Sequence, residues 1–404
     1  LLMRHLAVLS LHTSPLVQPG AGDGGGMTVY VREVVSALAR AGGQATVFTR
    51  RTDDRTPGVV EVEPGFRVVQ VDAGRHDLPK ERLPEIVDEF ADRVSEHLVD
   101  GGFDGLLANY WLSGQAGHRL KHELDLPLIT VFHTLARVKA ETGDFEPRRR
   151  MDAEAEVIRC SDVILANSVE EARQLTHHYG AVESRIEVVP PGVAHSSFSP
   201  GFQDDARDSL GIGPGEVLLF VGRIQPLKGV DVAVRTLAEL DRPDSRLVVV
   251  GGASGVEGPA EERRVRRLVD QLGLGERVLF VPPQPHDRLA TWYRASDVVV
   301  MPSRSESFGL VALEAAACGV PVVAAAVGGL RTLVHHGRTG YLVEGRQPVD
   351  YATRVSALFD DFAGATEMAL CAAEHSWSYT WAATAARLRR VCDDLSLRAL
   401  VDCS

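Results

Sequence analysis

Two carboxylates stand eight residues apart at Glu306 and Glu314, separated by Ser307-Phe308-Gly309-Leu310-Val311 and preceded by the apolar run Val298-Val299-Val300-Met301. A carboxylate just beyond a strand can accept hydrogen bonds from sugar hydroxyls, and one about two turns along the following helix can hold a ribose diol. Between them, the unsatisfied N–H groups around Phe308 to Val311 can receive a phosphate. Alone, two Glu at this spacing describe a solvated helix face; the intervening Ser-Phe-Gly-Leu-Val makes the combination specific. A second pair, Arg223 and Lys228, follows the apolar run Val217 to Val221. Two cations fixed there would neutralise a diphosphate and stabilise it as a leaving group.

Two weaker constellations lie upstream. The loop Asp23-Gly24-Gly25-Gly26-Met27-Thr28 stands between the first apolar run and the first helical pattern, where glycines admit close backbone approach and a helix start favours an anion. A flexible strand-to-helix turn is its plain alternative. The chain lacks a G-x-G-x-x-G loop with an acid after the second strand, where Thr49-Arg50-Arg51 stands instead, which disfavours a nicotinamide enzyme. Asn109-Tyr110-Trp111 and His133-Thr134 each follow a strand pattern, whereas Lys80-Glu81 and Arg148-Arg149-Arg150 read, on spacing alone, as solvated charges. No Asp-x-Asp motif occurs.

The elements that must position these residues form two series of alternating strand and helix patterns. Apolar runs at 6–10, 46–48, 66–71, 105–108, 128–132 and 162–166 make up the first series, with a helical pattern through Val31, Val34, Val35 and Leu38 ending at Gly42-Gly43. After Ile186-Glu187-Val188-Val189, the stretch Pro190-Pro191-Gly192 and the polar residues to Gly201 mark a boundary. The pattern restarts at 217–221, 247–252, 278–281, 298–301 and 322–324. Alternation of this kind predicts an α/β protein of two doubly wound Rossmann-like domains. We expect domains over residues 1–192 and 193–375, with 376–404 crossing back as a helical segment onto the first domain. Ligands of such sheets bind beyond the carboxyl ends of strands, so a central cleft between facing domains is the expected site.

Composition bounds the partners. The 404 residues are 45% hydrophobic and 24% charged, ordinary for a globular chain and against disorder or a coiled coil. The net charge is −12, yet Lys occurs only at 80, 121, 139 and 228 against 39 Arg. An acidic chain lacks the positive field that non-specific nucleic-acid binding needs. With no transmembrane run of 18 apolar residues and no signal-peptide layout, a cytoplasmic protein is expected. The five cysteines, Cys160, Cys318, Cys371, Cys392 and Cys403, are widely spaced without a CxxC pair. Incidental or buried thiols are the expectation, not a zinc site or a disulfide framework.

Together, Gly222-Arg223-Ile224-Gln225-Pro226-Leu227-Lys228, Ser305 to Glu314, the Asp23 to Met27 loop, Lys80-Glu81-Arg82-Leu83-Pro84, Tyr110-Trp111-Leu112-Ser113-Gly114-Gln115 and His133-Thr134-Leu135 carry a resemblance over nearly the whole chain. The sequence resembles the retaining glycosyltransferases of family 4, of GT-B fold, and within them the D-inositol 3-phosphate glycosyltransferases of mycothiol biosynthesis.

The resemblance implies a nucleotide sugar donor, UDP-N-acetylglucosamine, and inositol phosphate as acceptor. It implies that Arg223 and Lys228 grip the diphosphate with the Gly26 backbone assisting. Glu314 would hold the ribose, Glu306 the sugar, and the backbone near Gln284 the base. Gln18, Pro19, Phe308, Gly309, Leu310 and Val311 would complete the donor contacts, and His133 would lie near the reacting face. Acceptor contacts would come from His12, Asp23, Gly24, Gly25, Met27, Thr28, Lys80, Tyr110, Thr134 and Arg150. A peripheral magnesium would sit on backbone carbonyls of Tyr293, Arg294 and Ser296, with no metal or other cofactor needed for catalysis, and the protein would be a homodimer. The chain departs from the family at Thr28, where the family has Asn, and over 74–79. An enzyme of the same fold acting on another polar or cyclitol acceptor, or a non-catalytic nucleotide-sugar-binding protein, are the alternatives.

Overall fold

The computed structural model describes residues 5–20, 24–99 and 101–403, so the expectation for Asp23 lies outside the described residues. Two compact units are formed: residues 1–17, 27–191 and 381–404 in the first, and 18–26 with 192–380 in the second. The division departs from the expected boundaries in two places. Residues 18–26 group with the second unit, and so do 376–380, because Val193 N–H donates to the Tyr379 carbonyl at 3.1 Å and Val193 bridges to Thr380.

The first unit is built on β1 (His5–Leu9), β2 (Gln44–Arg50), β3 (Val59–Glu63), β4 (Phe66–Val71), β5 (Gly105–Asn109), β6 (Leu128–Val131), β7 (Val163–Ala166) and β8 (Ile186–Val188), in the order β3-β4-β2-β1-β5-β6-β7-β8. Every pairing is parallel except β3 with β4. The second unit orders β9 (Val217–Val221), β10 (Arg246–Val250), β11 (Val278–Val281), β12 (Val298–Met301), β13 (Val322–Ala325) and β14 (Gly340–Val343) as β11-β10-β9-β12-β13-β14, all parallel. β3, β8 and β14 are the strands the sequence patterns do not mark. The Val59–Glu63 strand is a half-exposed edge rich in Glu, and Gly340–Val343 is only four residues long.

Continuous Val, Leu and Ile runs form the central strands because both sheet faces are covered. In the second unit Leu219, Val299 and Ala324 enter one core, while Leu218, Val298 and Val323 enter the other. Side-chain alternation thus delivers apolar residues to both helix layers. Helix ends follow local chemistry. The helix Val169–Tyr179 begins where Ser168 Oγ accepts the Glu171 N–H at 3.1 Å, and it ends at Gly180 with φ +65°. The C-terminal helix Trp381–Leu395 belongs to the first unit, with the Trp381 ring 5.9 Å from that of Tyr30 and Thr384 Oγ1 donating to the Pro190 carbonyl.

In each sheet chain connections run outward in both directions from a central strand pair, β1 beside β5 and β9 beside β12. The carboxyl ends at these switch points are where open α/β sheets bind ligands. Among the described residues, no helix is long and apolar enough to cross a membrane.

A pH dependence is built into the first unit. Burial pushes the Glu171 carboxyl up to about 7, against the opposing hydrogen bond from Asn167 N–H at 2.6 Å. The folded chain therefore holds a proton that the unfolded chain, titrating near 4.5, releases. Stability from this group is complete below that lower value and is lost as pH rises through the upper one. Glu171→Gln should flatten the melting temperature between pH 5 and 8 and raise it at pH 8. Parallel pH profiles for parent and variant would contradict this.

Candidate functional site

In the second unit the β9 and β12 ends bring the two predicted pairs together. The turn Pro226–Lys228 follows β9 and is tied to the loop after β12 by Arg304 N–H donating to the Leu227 carbonyl at 2.8 Å. That backbone bond sets Lys228 Nζ at 2.5 Å from Glu306 Oε1, the same oxygen that accepts the Ser303 hydroxyl at 2.8 Å. An ammonium has three donors, and Glu306 engages one of them. Arg223 lies where a Cβ on Gly25 would come within 3.3 Å of its Nε, and a Cβ on Gly26 would meet Leu310 Cδ1 at 3.4 Å. The glycine loop thus runs close over Arg223 and the start of the helix Leu310–Ala317. Gln18 Nε2 donates to the Pro283 carbonyl at 3.2 Å and Gly20 packs on the Pro283 ring, which places the Gln18-Pro19 segment beside Gln284.

Glu314, the second carboxylate of the pair, is 5% exposed. His286 Nε2 lies 2.7 Å from one of its oxygens and the Tyr293 hydroxyl donates to the other at 2.8 Å. Each carboxylate oxygen still has a lone-pair direction in reserve for a diol. Phe308 is buried and Gly309 takes φ +101° at the start of the helix, so Leu310 and Val311 present the first helical N–H groups.

One position outside the sequence-based set supports this unit. Gly328 adopts φ +47°, and a Cβ there would fall 1.8 Å from the Glu306 carbonyl, which Gly329 N–H engages at 2.9 Å. No other residue fits, so this glycine fixes the backbone carrying Glu306. The Gly328-Gly329 doublet after β13 was its only sequence signal.

Two of the three carbonyls expected to hold magnesium, those of Tyr293 and Ser296, already accept hydrogen bonds. The Tyr293 carbonyl accepts both the N–H and the hydroxyl of Ser296, the Ser296 carbonyl accepts Gln203 Nε2, and the Arg294 guanidinium donates to the Ser197 and Ser199 carbonyls nearby. With two hydrogen bonds accepted, the Tyr293 carbonyl has no lone pair in reserve for a metal.

In the first unit, the ends of β5 and β6 carry two strained residues. Tyr110 and His133 have φ +76° and +61°, two of the three non-glycine residues with positive φ among those described. Such conformations cost about 1–3 kcal/mol each and gather at functional sites. His133 Nε2 lies 2.9 Å from Asn109 Oδ1, and the ring meets Tyr30 edge-on at 4.9 Å. Burial pushes its pKa down to about 3, so the imidazole is neutral. Asn109, fully buried, also keeps an amide Nδ2 with no protein partner. The His12 ring lies tilted against that of Tyr110, centroids 4.4 Å apart. Lys80 opens the turn Lys80–Ile86, and Met27 lies partly exposed in the first turn of the helix Gly26–Arg40, just beyond Gly24.

Two acceptor expectations are altered. Thr28 is buried, its hydroxyl 3.3 Å from that of Thr13. Arg150, expected to bind phosphate directly, is buried with its donors committed: Nε to Glu154 at 2.8 Å, Nη1 to Glu146 at 2.9 Å, and Nη2 to the Thr134 carbonyl and hydroxyl at 3.1 and 2.9 Å. Four of five guanidinium donors are spent within the protein, so Arg150 orients Thr134 and lies under the Tyr110 ring at 5.0 Å. The remaining lysines also have places: Lys139 pairs with Glu146, and buried Lys121 bonds Asp162 at 2.8 Å and the Cys160 carbonyl at 2.9 Å.

Comparison with known proteins gives concordant matches. The profile for "Glycosyl transferases group 1" matches residues 202–369 and that for "Glycosyltransferase Family 4" residues 24–197. The chain is 46% identical over 400 residues to D-inositol 3-phosphate glycosyltransferase 2 of Catenulispora acidiphila, covering 95% of this chain and 93% of that protein. It is also 46% identical to a D-inositol 3-phosphate glycosyltransferase of Xylanimonas cellulosilytica, covering 95% of each. Among solved structures, sucrose-phosphate synthase from Thermosynechococcus elongatus superposes with a TM-score of 0.93 at 31% identity, over 98% of this chain and 100% of that one. Anabaena HepE in complex with UDP and glucose, 19% identical with a TM-score of 0.79 over 98% of this chain and 100% of its own, shares the fold.

The Arg150 cluster makes a stability prediction. Arg150→Ala would leave the buried Glu154 carboxylate without its cation and Glu146 with Lys139 alone. Breaking a buried pair from one side costs about 3–5 kcal/mol. Chemical denaturation should show that loss, and an unchanged midpoint would refute the structural role.

Proposed function

The chain belongs to glycosyltransferase family 4, and from that premise we propose that it transfers N-acetylglucosamine from UDP-N-acetylglucosamine to inositol phosphate with retention at the anomeric carbon. The acceptor reading is supported by the relatives named D-inositol 3-phosphate glycosyltransferase. The observation that carries the chemistry is Lys228 at 2.5 Å from Glu306, beyond β9 and β12. In this reading Glu306 holds hydroxyls of the transferred sugar while the spare Lys228 donors and Arg223 hold the diphosphate. The Gly26 and Leu310 backbones assist, Glu314 takes the ribose, and the backbone near Gln284 takes the base.

The step is a front-face substitution. An acceptor hydroxyl oxygen bonds to the anomeric carbon on the side from which the diphosphate leaves. The carbon–oxygen bond to phosphate breaks with its electron pair on the diphosphate, and the hydroxyl proton passes to that oxygen. Cations fixed at the developing charge lower the barrier without a metal. Neutral His133 can contact the sugar without proton transfer, and Lys80, with Tyr110 and Thr134, would receive the acceptor phosphate. The family resemblance further implies a homodimer in the cytoplasm.

A second reading, a different cyclitol acceptor, is favoured by Thr28. Its buried hydroxyl faces Thr13 where the family offers an amide. Mass spectrometry with UDP-N-acetylglucosamine and inositol phosphate or aminocyclitols separates the readings. A product one N-acetylhexosamine heavier than inositol phosphate is expected, and transfer only to another cyclitol would favour the second.

Lys228→Ala should reduce turnover by about 10²- to 10³-fold, the usual scale for one group stabilising transition-state charge; undiminished turnover would remove Lys228 from the mechanism. Withdrawing magnesium and manganese from the assay and then returning them should leave the rate unaltered. A rise on return would overturn metal-independent departure.

A further inference from the structure

The first unit also gathers a set of side chains that the proposed reaction does not use. The helix Tyr110–Leu124 carries His118 and His122 one turn apart on one face. The helix Arg148–Cys160 ends at Cys160, and the chain beyond the C-terminal helix returns to place Cys403 beside them. The expectation of unrelated thiols fails here, because 243 residues separate two cysteines whose Cα atoms lie 5.3 Å apart, joined as a disulfide. His122 Nε2 lies 3.1 Å from Cys403 Sγ and 3.9 Å from Cys160 Sγ, and His118 Nε2 lies 3.8 Å from Cys403 Sγ. All four ligand atoms fall within 4.8 Å of one another.

We propose that the reduced chain binds a zinc ion through His118, His122, Cys160 and Cys403. A disulfide calls for no imidazole at its side, whereas two thiolates and two imidazole nitrogens converging on one point form a tetrahedral S2N2 set, the donor chemistry that selects zinc. With metal–ligand bonds of about 2.0–2.3 Å, tetrahedral ligand atoms stand roughly 3.3–3.8 Å apart, close to the nitrogen–sulfur distances here. His118 turns its other nitrogen, Nδ1, toward Glu156 Oε1 at 3.6 Å, the outer carboxylate that orients a metal-bound imidazole. The approach of Cys403 is held independently by Val401 N–H donating to Asp162 Oδ1 at 2.6 Å, the carboxylate paired with Lys121. The site joins two helices and the tail of the first unit with no open position for a substrate, so it is structural.

The test uses the full chain without a polyhistidine tag, purified under reducing conditions without chelator. Elemental analysis should find about one zinc per chain, and cobalt substitution should give the visible bands and sulfur-to-metal absorption of a tetrahedral thiolate site. His122→Ala, at an exposed position, should lower zinc content at least roughly tenfold, and Cys160→Ser should weaken the sulfur-to-cobalt band by about half or more. A metal-free chain carrying a Cys160–Cys403 disulfide after reducing purification would overturn the proposal, as would zinc retained undiminished in His122→Ala. Should Cys160→Ser fail to fold, zinc content and the cobalt spectrum of the parent and of His122→Ala decide the matter.

Discussion

The second unit is organised around keeping a cation and a carboxylate side by side without letting them neutralise each other completely. Lys228 and Glu306 come from segments 78 residues apart, and the Arg304 to Leu227 backbone bond fixes their registry. An isolated surface pair of this kind is worth little. Here it is partly buried at the ends of adjacent parallel strands, where the ammonium keeps donors for a ligand and the carboxylate keeps acceptors. The parallel sheet makes this possible, since neighbouring strands end on the same side and their following loops must meet. Gly328, pressed against the Glu306 carbonyl, meets the same constraint from below.

The first unit handles its charges differently. Arg150 is surrounded by Glu146, Glu154 and Thr134, so its guanidinium acts as a brace, with the left-handed Tyr110 and His133 displayed around it. The strained residues and the unpartnered Asn109 Nδ2 mark the strand ends where the fold leaves polar capacity unspent.

The scarcity of lysine gains meaning from these environments. Of four lysines, Lys228 pairs with the candidate sugar-binding carboxylate, Lys121 is sealed against Asp162, and Lys139 joins the Arg150 carboxylates. A compact ammonium fits where one strong point contact is needed, while the planar guanidinium serves where several acceptors lie in one plane, as at Arg150 and Arg294.

The sequence alone determined what depends on local pattern. Continuous apolar runs marked all but three of the strands, and motifs at strand ends named Arg223, Lys228, Glu306, Glu314 and His133 because strand-to-helix loops carry their chemistry within a few residues. Tertiary structure decided which polar capacity remains available. It committed Arg150 to Glu146 and Glu154, turned Thr28 toward Thr13, filled the Tyr293 carbonyl, and brought Cys403 to Cys160, His118 and His122. A hydrogen-bonding group has a fixed number of partners, and those partners are chosen across the fold by atoms distant in sequence. Residue type therefore states what a side chain can do, while packing states how much of that ability is left.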